Sequence, residues 1–221
     1  MQNGGGHAEL MVVEASGCVE IPDALSFEEA APMFCAGFTI MSGYRRATPR
    51  PGDRIAVLGL GGLGHLGLQI AKAFGHEVLA LTSSADKRVE LLALGADDVI
   101  LVGDDPGRAL ADAGGADVIL ATTSSAAQVG QIVSGLRPEG RLALMGLGEG
   151  PIEIDPMSLI LSQGSIVGAL QDDRAHLLEV LELAAAGRVR PKVEAFPLVL
   201  VERAMNRLAE GRVRYRAVLT I

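Results

Sequence analysis

The chain has 221 residues, of which 49% are hydrophobic and 21% charged. That is enough apolar material to fill a sizeable core, and it excludes a disordered tail or a small disulfide scaffold. Nineteen Lys and Arg against 27 Asp and Glu leave a net charge of -8, which repels a polyanion and excludes nucleic acid as a partner.

Aromatics are only 3%, with no Trp, against 28 glycines, a profile that fits closely packed α/β layers better than an aromatic-rich recognition surface. The charge is uneven: Gly187 to Ile221 holds eight basic and three acidic residues, which reads either as a solvated basic face or as a place where an anion docks. Cys18 and Cys35 show no CxxC spacing, so a reducing compartment is expected. Neither a signal sequence nor a run of 18 apolar residues occurs, so the expectation is a cytoplasmic protein with no membrane contact.

Two short strands are predicted first, Ala8 to Val13 and Cys18 to Ile21, the second stopped by Pro22-Asp23. Ser26 with Glu29 forms a capping-box pattern before Ala30, Ala31 and Met33, which starts a helix. Helical composition resumes from Gly37 to about Ala47, and the turn Pro49 to Asp53 opens a different pattern. From there β-branched runs alternate with amphipathic segments. Strands are predicted at Arg54 to Leu58, Glu77 to Leu81, Asp98 to Val102, Ala116 to Ala121, Arg141 to Met145 and Ser165 to Ala169. Helices fill the intervals: Gly62 to Phe74, Asp86 to Leu94, Pro106 to Ala113, Ser125 to Leu136 and Met157 to Gln163. The fold class is therefore α/β, a Rossmann-type doubly wound sheet of six parallel strands. A helical stretch at Asp172 to Gly187, another near Leu200 to Glu210 and a last strand at Tyr215 to Ile221 follow as an appendage.

The strongest local signal is Gly59-Leu60-Gly61-Gly62-Leu63-Gly64, directly after an apolar strand and opening a helix. In such a turn Gly59 allows the tight bend, Gly61 lets the backbone approach a pyrophosphate, and Gly64 lets helix and strand pack closely. The end of the second strand discriminates between dinucleotides. A free ribose 2′-hydroxyl calls for Asp or Glu there, but the chain has Leu81-Thr82-Ser83-Ser84, followed by Lys87-Arg88. Hydroxyl donors and nearby cations favour NADP(H). The competing reading is that the serines cap the next helix and the cations are solvated. Cys35, taken alone, fits a buried core cysteine as well as a ligand. His65 reads as a helix-surface residue, the other reading being that it reaches phosphates from the helix start; His7, His76 and His176 have no assigned role, and the pairs Asp104-Asp105 and Asp172-Asp173 read as helix caps.

Three strings carry a resemblance: AAPMFCAGFT at Ala30 to Thr39, GLGGLGHLGLQIAKAFG at Gly59 to Gly75, and TSSADKR at Thr82 to Arg88. Together they resemble zinc-dependent alcohol dehydrogenases of the medium-chain dehydrogenase/reductase superfamily. The serine-containing turn and the His after the glycines are most similar to the NADP-dependent, cinnamyl-alcohol-dehydrogenase-like branch. The resemblance implies hydride transfer between NADP(H) and a primary alcohol or aldehyde. It implies Cys35 as one protein ligand of a catalytic Zn²⁺, and Thr39 beside the nicotinamide in the catalytic region. Gly59, Gly61, Gly62, Leu63 and Gly64 would hold the pyrophosphate, and Thr82, Ser83, Ser84 and Lys87 the adenosine ribose phosphate. Thr122, Gly146 and Leu147 would lie under the cofactor, and Arg216 would pair with the pyrophosphate.

The same resemblance divides the chain into residues 1–36, a remnant of a β-rich GroES-like catalytic domain; 37–170, the NADP-binding domain; and 171–221, a return to the catalytic domain. It implies entry late in the GroES-like domain, at Gly4-Gly5-Gly6-His7-Ala8-Glu9, without that domain's other zinc ligands, its proton-relay Ser or Thr and His, or its four-cysteine lobe. One thiolate is too few for a catalytic site, so zinc is expected to bind this chain weakly. A homo-oligomer, dimer or tetramer, is implied, with Ser165 to Ala169 at the subunit edge. A truncated, non-catalytic NADPH-binding module and a zinc-free quinone-reductase-like relative are the alternatives.

Overall fold

The computed structural model describes residues 6–146 and 148–221. From Gly6 an exposed stretch leads to Glu20, with a 3₁₀ turn at Ala15–Gly17 as its regular element. The two strands predicted at Ala8 to Val13 and Cys18 to Ile21 do not form. Their β-branched composition is suited to a strand, but no neighbouring strand runs beside them among the described residues, and an unpaired strand leaves its backbone groups to water. Gly4 and Gly5, in the predicted entry to this stretch, lie outside the described residues.

Helix α1 (Phe27–Ala30) starts as the sequence predicts: the Ser26 hydroxyl accepts from the Glu29 N–H and the Glu29 carboxylate from the Ser26 N–H, both at 3.2 Å. Pro32 tightens the next turn into a 3₁₀ helix before α2 (Ala36–Arg46), most of which is buried. The alternation then follows in order: β1 (Arg54–Leu58), α3 (Gly64–Ala73), β2 (Glu77–Thr82), α4 (Arg88–Ala93), β3 (Asp98–Leu101), α5 (Pro106–Asp112), β4 (Ala116–Ala121), α6 (Ala126–Ile132), β5 (Leu136–Leu144), α7 (Pro156–Ser162) and β6 (Ser165–Gly168). After these come α8 (Arg174–Ala185), β7 (Val193–Pro197), α9 (Val201–Ala209) and β8 (Arg216–Thr220).

The first six strands form one sheet of order β3-β2-β1-β4-β5-β6, every pair parallel. Alternate residues of each strand feed two cores, as the pleat requires. Ile55, Val57, Val78, Ala80, Val118 and Leu120 pack on the side covered by α2, α3 and α8. Ala56, Leu58, Leu79, Leu81, Ile119 and Ala121 pack with Leu110 of α5 and Val129 and Ile132 of α6 on the other. Burial on both faces explains why these strands read as continuous apolar runs.

The fifth strand differs from its prediction. It starts at Leu136, inside the predicted helix, which ends at Ile132 and a 3₁₀ turn at Val133–Gly135. Leu136 pairs with Ala116, and the register shifts before Arg141 meets Val118. Pro138 and Gly140 break a helix, and an irregular strand end absorbs them. Strand β7, absent from the sequence-based elements, pairs in parallel with β8 as a separate two-stranded sheet. No helix among the described residues is long and apolar enough to cross a membrane.

Below the sheet a polar network closes the turn that precedes β1. The Tyr44 hydroxyl bonds His76 Nε2 at 2.8 Å and His76 Nδ1 reaches the Asp53 carbonyl at 3.0 Å. Burial pushes the Tyr44 phenol up to about 12, so it donates its proton to Nε2, and the Nδ1–H donates to Asp53. Tyr44 also stacks on Phe74 at 4.9 Å. The substitution Tyr44→Phe keeps the stack and strands the imidazole nitrogen, so it should lower unfolding free energy by about 1–3 kcal/mol, read as a shift in urea midpoint.

Candidate functional site

In a doubly wound sheet the chain leaves neighbouring strands on opposite sides where the order reverses, and a crevice opens at their carboxyl ends. Here the reversal lies between β1 and β4. The turn from β1 into α3 is shaped by two close approaches. Gly59 has φ +92°, and a Cβ there would stand 2.5 Å from the Thr123 amide nitrogen; a Cβ on Gly64 would stand 2.0 Å from the Gly59 carbonyl oxygen. Only hydrogen fits at either place. Thr122 fastens the crossing, its N–H donating to the Leu58 carbonyl at 2.8 Å and its hydroxyl to the Gly59 carbonyl. At Gly61, by contrast, a Cβ would meet open space. The N–H groups of Gly61, Gly62 and Leu63 have no acceptor among the described residues. Unpaired amides at a helix start make a site suited to an anion.

A cavity of about 350 Å³ opens beside this turn. Gly59 and Gly61 line it from the turn, Thr82, Ser83 and Lys87 from the end of β2, and Thr122 and Gln128 from beyond β4. The serines do not cap the next helix: Ser83 is exposed, and the Ser84 side chain makes no capping bond, although its N–H donates to the Thr82 hydroxyl at 3.1 Å. The two cations part company. Arg88 is turned to β3, bonding the Val99 carbonyl at 2.8 Å and Asp98 at 3.0 Å, while Lys87 lines the cavity with no ion-pair partner among the described residues.

The other candidate residues sit around this centre. Arg216 lies against Gly62, where a Cβ would stand 2.8 Å from its Nη1. Leu63 precedes α3 and packs on the α2–α3 core rather than lining the cavity. Gly146, at the exit of β5, approaches Thr123 so closely that a Cβ would stand 1.8 Å from its carbonyl oxygen. Leu147 lies outside the described residues. Cys35 begins α2 with an exposed thiol, its carbonyl accepting from Gln171 Nε2 at 3.1 Å. Thr39 is buried one turn further on, its N–H donating to the Cys35 carbonyl at 2.9 Å. Neither lines the cavity beside the glycine turn. A catalytic zinc needs three protein ligands, and no group of three His, Cys, Asp or Glu able to hold a metal occurs among the described residues. The donor set of the described residues does not by itself fit that ion.

One reading from the sequence is overturned. His65 is not on the helix surface: it is fully buried, stacked on Tyr215 with ring centroids 4.6 Å apart and planes at 11°. Its partner is far off in sequence, so no local pattern announces it. The same holds for Glu90, whose carboxylate takes Lys192 Nζ at 2.8 Å and Arg214 Nε at 2.9 Å. This ties α4, which follows the Ser83–Lys87 segment, to the basic tail. The Arg214 hydrogen bond above all holds the Glu90 carboxyl down at about 2.

Fold and turn together define a Rossmann-type protein of the dinucleotide-binding class. A family model described as zinc-binding dehydrogenase matches residues 62–186, and the chain belongs to that family, within the medium-chain dehydrogenase/reductase superfamily. It is 38% identical over 217 residues to a probable formaldehyde dehydrogenase, AdhA, of Bacillus subtilis, covering 98% of this chain and 62% of the relative. A probable cinnamyl alcohol dehydrogenase of Oryza sativa subsp. japonica is 36% identical over 222 residues, covering 98% and 61%. Among solved structures, the alcohol dehydrogenase of the hyperthermophilic archaeon Aeropyrum pernix superposes with a TM-score of 0.88 at 31% identity, covering 98% of this chain and 65% of that one. The chain thus spans about three-fifths of the length of the curated relatives it matches.

The Glu90 clamp has a pH signature. Its carboxyl stands at about 2 against an ordinary 4.5, so its stabilisation is present above pH 4.5 and is lost as the pH falls toward 2. The stability difference between wild type and Glu90→Gln, measured by urea unfolding, should shrink steadily across that window.

Proposed function

We propose that this chain supplies the cofactor-binding part of an alcohol dehydrogenase or aldehyde reductase of the zinc type, which moves hydride between NADP(H) and a primary alcohol or aldehyde. The observation that carries the cofactor reading is the cavity beside the glycine turn, with open space at Gly61 and, among the described residues, no acceptor for the turn amides and no ion-pair partner for Lys87 on its rim. The nicotinamide, when bound, supplies the hydride donor or acceptor. The protein's part is to bind and orient. The turn amides and Arg216 would hold the diphosphate, and Ser83 and Lys87 would hold a 2′-phosphate, where a carboxylate would repel it. Arg88, committed to β3, takes no share in this.

In this reading residues 1–36 and 171–221 belong to the catalytic domain and 37–170 to the nucleotide-binding domain. No step is assigned to zinc through the residues of this chain. The absence of a three-ligand cluster among the described residues supports a second reading, a dinucleotide-binding module without turnover of its own. NADPH binding of ordinary strength, with no reduction of any aldehyde in a panel, would favour that second reading.

Fluorescence titration tests the cofactor assignment. The wild-type chain should bind NADPH saturably and more tightly than NADH. Lys87→Ala should reduce that preference about tenfold, the scale of one lost charge-assisted hydrogen bond. Gly61→Val, which fills the open side of the turn, should weaken both nucleotides with little change in unfolding midpoint. Absence of saturable binding would sink the proposal.

The sheet edge at β6 is offered as the contact between copies. Its pattern of half-buried Ile166 and Val167 leaves an unpaired backbone edge with apolar side chains. Sedimentation should give a dimer or larger; a monomer across the micromolar range would refute this assignment.

A further inference from the structure

His65 is fully buried beneath the glycine turn, and each of its ring nitrogens is engaged. The Lys192 N–H points at Nε2 at 3.3 Å, and Nδ1 faces the Gly61 carbonyl at 3.1 Å. A backbone amide can only donate, so Nε2 is the acceptor and the single proton of the neutral ring sits on Nδ1, donating to Gly61. The Tyr215 ring covers one face of the imidazole. Burial pushes the imidazole down to about 4, so this neutral form persists at working pH.

The Gly61 carbonyl also accepts the first helical bond of α3, from the His65 N–H at 3.2 Å. Two donors therefore hold this carbonyl inward. A trans peptide is planar, with its N–H antiparallel to its C=O, so fixing the Gly61 carbonyl turns the Gly62 N–H the opposite way, away from the core. That N–H has no acceptor among the described residues. Arg216 follows Tyr215 in the chain and rests on Gly62, so the stack that fixes His65 also fixes the guanidinium beside the same amide.

We infer that His65 is a positioning residue for a dinucleotide's diphosphate: pinned between the Lys192 amide and the Tyr215 ring, its imidazole holds the Gly61 carbonyl inward and presents the Gly62 N–H to the phosphates. The inference rests on the nucleotide-binding reading above and adds the group that orients the turn. The histidine itself touches no phosphate. The basic tail thereby acts through strand β8 and its approach as the support for the turn.

The test compares NADPH with adenosine 2′-phosphate, which carries the adenosine and its 2′-phosphate but no diphosphate. His65→Leu removes both ring hydrogen bonds and should raise the NADPH dissociation constant about tenfold, the effect of losing one oriented donor, while adenosine 2′-phosphate binds as before. His65→Asn, whose amide can replace the Nδ1 donor, should recover most of the loss. NADPH binding by His65→Leu within about twofold of wild type would overturn the inference, as would equal weakening of both ligands, which marks a merely structural role. A wild-type chain that binds no dinucleotide overturns the functional reading and this inference together, whereas normal wild-type binding with an unaffected variant overturns this inference alone. Should His65→Leu fail to fold, long-range ¹H–¹⁵N spectra of the wild-type chain decide. A neutral Nδ1–H tautomer that shifts with NADPH but not with adenosine 2′-phosphate supports the inference. An Nε2–H tautomer, or the same response to both ligands, contradicts it.

Discussion

The structure depends on how closely the backbone after β1 approaches its neighbours. Gly59 and Gly64 stand where a single extra carbon would collide with the Thr123 amide and the Gly59 carbonyl, and Thr122 locks the crossing with two hydrogen bonds. Because those contacts are sterically exclusive, α3 starts close to the strand end, and the turn that precedes it brings Gly61 to the crevice at the switch point of the sheet. Every group assigned to the cofactor is placed relative to that start: the end of β2 beside it, the exit of β4 across from it, Arg216 on Gly62.

The tail gives the same turn a second support. Four of its eight cations, Lys192, Arg207, Arg212 and Arg214, are engaged in internal ion pairs. Arg214 and Lys192 are held by Glu90, and Arg207 by Glu194 at 2.9 Å. Arg216, like Arg188, Arg190 and Arg203, has no ion-pair partner among the described residues, and of these it is the one that rests on Gly62 of the turn. A buried neutral histidine then joins the tail to the glycine loop. Electrostatics and packing thus serve one end, a rigid edge of unpaired donors, since donors fixed in advance lose little freedom on meeting an anion.

Much of this was legible beforehand, for physical reasons that can be named. The central strands β1, β2 and β4 announced themselves because strands buried on both faces are apolar throughout, and the capping box at Ser26 announced α1 because it is a contact three residues long. Lys87 and Arg88 show the limit of such reading: adjacent in sequence and equal in charge, they point to different places because only one of them finds Asp98 and the Val99 carbonyl. Cys35 is another case. The string around it carried a family resemblance, but its chemistry depends on what stands nearby, and no metal-binding group of three forms among the described residues.

The sequence by itself determined the alternation of strands and helices, the glycine turn and the hydroxyl-rich end of β2, because periodicity, turn conformation and capping are set within a few residues. Tertiary structure alone decided that the early β-branched stretch stays unpaired, that β5 starts inside a helical pattern, that β7 joins β8, and that His65 is buried against Tyr215. Those outcomes hang on partners distant in the chain. A strand without a neighbour, or an imidazole without its stacking ring, has no local reason to be what it becomes.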